Sequence, residues 1–149
     1  MKEIILYVKL VLLGAISGIT LNILINVSGL MALFPSYEEK TAPALFSYSV
    51  GTALILYVII TPLIEEMLFR FLLFGLLRKH LPFAVSCLLS AAAFGLYHMN
   101  VIQFIYAFLM GMILAYVYEH DRRLRVPFIV HASANAAVYI ISVTGILHF

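Results

Sequence analysis

A chain of 149 residues that is 64% hydrophobic and only 11% charged has too little polar side chain to cover a water-soluble domain, in which about a quarter of residues are charged. Its net charge of +2, without a basic cluster, excludes a nucleic-acid binder. Its one cysteine, Cys87 in an apolar run, excludes an intrachain disulfide and reads as a small buried hydrophobe. What remains is a single membrane domain of class all-α, a polytopic helix bundle whose function must sit in its helices or short loops.

The first apolar run extends from Ile4 to about Phe34, longer than one crossing needs, so it tilts or bends. Lys9 interrupts it and no small-residue cleavage site closes it, which reads as an uncleaved first helix rather than a signal peptide. Within it, Gly14 and Gly18 have small-xxx-small spacing, and Asn22 and Asn26 lie one turn apart; both pairs read as helix-packing devices. Pro35 to Pro43, with Glu38, Glu39 and Lys40, reads as a surface loop. The second run is Ala44 to Thr61, ended by Pro62, and the third Leu63 to Leu77, closed by Arg78, Lys79 and His80. The fourth runs from Phe83 to Tyr97, the fifth from Val101 to Tyr118 and the sixth from Val126 to Phe149. About six crossings are expected, five being the alternative. Residues 1–62 would supply two accessory segments and residues 63–147 a four-helix core.

Ionisable side chains at membrane depth cost roughly 2.5–3.5 kcal/mol each and are functional candidates by default. Three groups stand out. Glu66 and Arg70, four residues apart, share a helix face and can pair, while Glu65 points about 100° away. His98 ends the run Phe94-Gly95-Leu96-Tyr97-His98, and His131 and Asn135 share a face of the sixth run with small residues between them. Each has a bland reading: a structural ion pair, a satisfied helix-end histidine, interhelical hydrogen bonding.

Orientation sets two arguments against each other. Arg78, Lys79, Arg122, Arg123 and Arg125 fall in two loops on one side, cytoplasmic by the positive-inside rule. Charge counting slightly favours five crossings, with Lys2 also inside and Leu63 to Leu77 merely interfacial. At 1.5 Å per residue, Glu65 lies about 20 Å up from Arg78, His98 about 24 Å up from Pro82 and Asn135 about 15 Å up from Arg125. Tilt can bring those depths together only if Leu63 to Leu77 enters the membrane, and that convergence favours six.

Glu-Glu-x-x-x-Arg at 65–70, Phe-x-x-x-His at 94–98 and His-x-x-x-Asn at 131–135, in order on successive apolar segments, resemble the CAAX-protease and bacteriocin-processing family. The resemblance covers about Leu63 to Leu147 and implies an intramembrane glutamic endopeptidase in a bacterial cell membrane. Its substrate would be a membrane-associated peptide or protein. By motif position, Glu65 would be the base that activates water and His98 would help hold or deprotonate that water. Glu66 and Arg70 would order the site, and His131 and Asn135 would stabilise the oxyanion. One departure is Phe71, where the family often has glycine and where bulk would narrow the packing. No cofactor is expected. Glu65, His98 and His131 would be the ligands if a zinc ion were used, but His-Glu-x-x-His is absent and asparagine is a poor zinc ligand. Two other classes compete: a non-catalytic membrane immunity or binding protein with a structural polar core, and a small transporter or proton relay, for which no inverted repeat is visible. Nothing in the sequence fixes the oligomeric state.

Overall fold

The computed structural model of the chain describes residues 1–34 and 47–145; the expected Pro35 to Pro43 loop lies outside them. Six helices are described and no strand. They are α1 (Lys2–Val27), α2 (Leu30–Leu33), α3 (Val50–Leu77), α4 (Phe83–Tyr97), α5 (Val101–His120) and α6 (Arg125–Thr144). α1, α3, α5 and α6 are long and apolar enough to cross a membrane, and α4 is a shorter apolar helix of 15 residues. Their outer faces carry large exposed apolar side chains such as Leu12, Ile16, Leu63, Phe71, Leu72 and Leu88, as lipid-facing helices do. Phe71 is 58% exposed, so its bulk projects outward and does not narrow the site.

The second and third apolar runs are not separate crossings. α3 continues through Pro62, and the reason is local. Proline has no N–H and its ring crowds the carbonyl four residues back. The helix answers by widening to i→i+5 hydrogen bonding over Leu54–Ile60, and a second widened stretch follows over Met67–Phe74. Thr61 N–H bonds Leu56 O instead of Tyr57 O. The next N–H that could serve Tyr57 O belongs to Pro62 and does not exist. Asn135 of α6 fills the gap, its Nδ2 donating to Tyr57 O at 2.9 Å. Likewise, Ser90 of α4 donates its hydroxyl to Phe69 O at 2.8 Å inside the second widened stretch.

This continuity resolves the orientation conflict. Arg125 Nη2 lies 4.0 Å from Glu3 Oε1, so the start of α1 stands beside the basic loops. At the same end, Arg78 holds Glu119 through Nε (3.1 and 3.2 Å) and Nη2 (2.8 Å), and Arg122 reaches Glu119 at 2.5 Å. α1, α4 and α6 therefore rise from the basic side while α3 and α5 descend to it. The start of α1 thus lies at the same end as the basic loops, as charge counting had it, and Leu63 to Leu77 is part of the long apolar helix α3, as convergence of the polar residues required.

α1 and α6 run parallel in very close contact. A Cβ at Gly14 would stand 2.1 Å from Val130 O, and one at Gly18 would stand 3.0 Å from Ala134. The small-residue spacing is therefore the packing device it resembles. Phe69, Phe94, Met110, Leu114, Val130 and Ala134 form the main core between α3, α4, α5 and α6, with Leu10 of α1 against it. Gly14→Ala is expected to destabilise the bundle by about 1–3 kcal/mol through the backbone collision. Gly51→Ala, whose Cβ would meet nothing within 4 Å, should gain about 0.5–1 kcal/mol from helix propensity. Thermal unfolding in detergent reads both, and equal shifts for the two would contradict the close approach.

Candidate active site

The two widened stretches of α3 bracket the α-helical turn Thr61–Glu66, which carries both glutamates inward. Glu66 and Arg70 are fully buried, with Arg70 Nε 3.2 Å from Glu66 Oε2. The guanidinium lies over the Phe94 ring, 4.4 Å from its centroid, a desolvated cation–π contact. Glu66 Oε1 takes a second partner, His131 Nδ1 at 2.8 Å. Because a carboxylate only accepts, Nδ1 carries the proton and, in the neutral ring, Nε2 does not. That Nε2 stands 3.6 Å from Glu65 Oε2.

His98 repeats the arrangement from the other side. Its Nδ1 lies 2.9 Å from Phe94 O, a carbonyl that can only accept, so Nδ1–H is again the donor. Its Nε2 faces Glu65 Oε1 at 3.9 Å. Glu65 thus receives the unprotonated nitrogens of two imidazoles, each turned and held by a partner behind it. Phe94, the first residue of the Phe-x-x-x-His motif, joins the parts. Its carbonyl fixes His98, and its ring packs at 5.1 Å against His98, 5.6 Å against His131 and 5.2 Å against Phe69.

A cavity of about 390 Å³ opens on this group; Glu65, His98, His131 and Asn135 line it, and Glu66 and Arg70 do not. All six sequence-predicted residues therefore converge, divided into a lining set and a buried supporting pair. The division differs from the motif roles in one respect. His131 stands between the two glutamates, with no N–H left for the cavity in its neutral form, and one amide proton of Asn135 is committed to Tyr57 O. Sequence reasoning also missed polar lining residues, among them Asn22, Asn26 and Gln103. Asn22 and Asn26, read as packing devices, line the cavity, and among the described residues their side chains bond only within α1, from Asn26 Nδ2 to Asn22 O and Oδ1. Their i, i+4 continuation of the Gly14 and Gly18 stripe was the available signal. Among the described residues no group of three or more His, Cys, Asp or Glu side chains has metal-holding geometry.

Comparisons with known proteins follow the same lines. A family model described as Type II CAAX prenyl endopeptidase Rce1-like matches residues 48–137, more than half of the chain. A Bacillus subtilis (strain 168) protein named "Putative membrane peptidase YdiL" is 29% identical over 91 residues, 61% of this chain and 37% of that protein. The chain thus spans little more than a third of this relative's length. No solved structure matches it.

Proposed function

This chain belongs to the Rce1-like family of type II CAAX prenyl endopeptidases, and from that premise we propose that it is an intramembrane endopeptidase in which Glu65 activates water to hydrolyse a peptide bond. The carrying observation is the placement of Glu65 on the cavity between two imidazole Nε2 atoms at 3.6 and 3.9 Å. Those gaps are too long for direct hydrogen bonds and suit a bridging water. A water lying between Glu65 and His98 donates one proton to each and presents its lone pair to the cavity.

The reaction follows from that pose. Glu65 takes a proton from the water as its oxygen bonds to the carbonyl carbon of the substrate. The carbonyl oxygen becomes an oxyanion, which the second amide N–H of Asn135 can meet. His131, whose Nδ1–H is held by Glu66, stands beside the base with its Nε2 3.6 Å from Glu65 Oε2. The proton on Glu65 then passes to the nitrogen of the scissile bond, the C–N bond breaks, and an acid and an amine leave. Glu66 and Arg70 touch none of the reacting atoms; they set the ring plane of His131. The substrate would be a membrane-associated peptide or protein, and the bacterial relative suggests a bacterial cell membrane as the location.

The reading is tested with the full chain in proteoliposomes and a pool of neutral quenched-fluorescent peptides. New peptide ends, seen by mass spectrometry, are expected, with rates unchanged by a zinc chelator such as 1,10-phenanthroline. A rate lost on chelation and restored by zinc would replace the glutamate-water mechanism by a metal one built on Glu65, His98 and His131. No cleavage of any peptide would leave the polar cluster as the core of a non-catalytic membrane protein.

A further inference from the structure

The stripe on α1 that begins with Gly14 and Gly18 changes character at Asn22 and Asn26. Gly14 faces Val130 and Gly18 faces Ala134, so in the same parallel register Asn22 falls opposite Val138 and Asn26 opposite Ser142. All four of these residues line the cavity. Where glycine lets the helices touch, the stripe lies outside the cavity; where asparagine takes its place, the cavity runs along it. Gln103, near the start of α5, lines it too, and its amide has no hydrogen-bond partner among the described residues. Along this stretch, carboxamides thus offer both donors and acceptors. The described lining residues include no lysine or arginine, and their only ionisable groups are Glu65, His98, His131 and tyrosine phenols.

Resting on the protease reading above, we propose that Asn22, Asn26 and Gln103 form a cradle for the main chain of an extended, uncharged stretch of substrate beside the cleavage point. Carboxamides match a peptide backbone in chemistry, each able to give and accept. A charged side chain or terminal carboxylate in this stretch would find no cation among the described lining residues to compensate its desolvation. The register also sets the distance. Val138 and Ser142 lie about 10 and 16 Å beyond His131 along α6. An extended chain at about 3.3 Å per residue reaches them three and five residues from the scissile bond. The cradle lies away from the basic loops, so this stretch of substrate extends toward the face opposite them.

The test uses a neutral Leu- and Ala-rich quenched-fluorescent decapeptide cleaved by the full chain in proteoliposomes, with its cleavage point found by mass spectrometry. Ester-for-amide replacement three to five residues from that point, on either side, removes one backbone N–H at a time. The parent enzyme is expected to lose about threefold to tenfold in kcat/KM at one or two of these positions, mainly through KM. Asn22→Leu, Asn26→Leu and Gln103→Met, near-isosteric changes, should raise KM for the all-amide peptide by a similar factor with kcat held. In the variant the matching ester should then cost little more, because the paired losses are not additive. Gln103→Met removes no side-chain hydrogen bond among the described residues, so it keeps the test open should an α1 variant fold poorly. An ester penalty that is the same in parent and variants overturns the cradle while leaving the protease reading intact. A parent that cleaves no peptide overturns both.

Discussion

Glu65→Gln should abolish turnover and leave the fold in place. The change keeps the shape of the side chain and its position on the cavity but removes the acceptor for the water's proton. General-base catalysis is worth about 10²–10⁴-fold, and kcat should fall by that factor with KM little changed. The fold is spared because Glu65, unlike Glu66, pairs with no arginine and makes no direct side-chain hydrogen bond among the described residues. Its two imidazole neighbours stand at 3.6 and 3.9 Å and are each held from behind, by Glu66 and by Phe94 O. Glu66→Gln differs by a single position yet should do the reverse first, lowering thermal stability by leaving Arg70 without its counter-charge. Kinetics and unfolding measured on both variants separate the two glutamates. Full hydrolysis by Glu65→Gln would sink its role as base and put the activation of water on another group.

Much of this site is written in short spacings. Glu66 and Arg70 at i, i+4 must share a face, and Phe94 and His98 at the same spacing let the His98 ring reach back to the Phe94 carbonyl. Contacts such as His131 to Glu66, 65 residues apart, come from tertiary packing, and only the order of the motifs hinted at them. Pro62 misled for a physical reason. In water a proline in a helical run ends or kinks the helix, but between membrane helices a neighbour can satisfy the freed carbonyl. Asn135, 78 residues along the chain from Tyr57, does so. The sequence carried both residues without the information that they meet. Asn22 and Asn26 show the opposite limit: their spacing was visible, but whether that face met a helix or a cavity depended on how α1 leans on α6.

That same asparagine links the helix break to the chemistry. Asn135 meets the Tyr57 carbonyl that Pro62 cannot serve and also lines the cavity, so in the proposed mechanism the irregularity in α3 and the placing of an oxyanion donor are one feature. The second widened stretch is tied down by Ser90 at Phe69 O, one residue before Arg70. Both departures from regular helix are thus pinned by neighbouring helices, and the turn between them holds Glu65 and Glu66 at fixed azimuths. Widened turns of this kind recur at functional sites.

The largest effect on stability is expected from Arg70→Met. A guanidinium that is 0% exposed, paired with a carboxylate that is also 0% exposed, has surrendered its hydration. Removing it leaves Glu66 as an uncompensated buried charge, at a cost of about 3–5 kcal/mol. Against a typical total of about 5–15 kcal/mol, that loss would unfold much of the protein. The Nη1 and Nη2 atoms of Arg70 have no hydrogen-bond partner among the described residues, so the pair is held by charge and by the Phe94 face rather than by a filled network. A buried pair of this kind adds little net stability over a neutral core. Glu66→Gln combined with Arg70→Met removes both charges, keeps an oxygen to accept from His131 Nδ1–H and fills the space with a chain of similar length. The double variant should recover most of what Arg70→Met loses, while kcat recovers less, since an amide oxygen holds the His131 Nδ1–H more weakly than a carboxylate does. Chemical unfolding of the four proteins in detergent completes the cycle. Additive losses would show that Glu66 and Arg70 are not energetically paired, and a double variant as active as the parent would show that the pair does nothing for the chemistry beyond filling space.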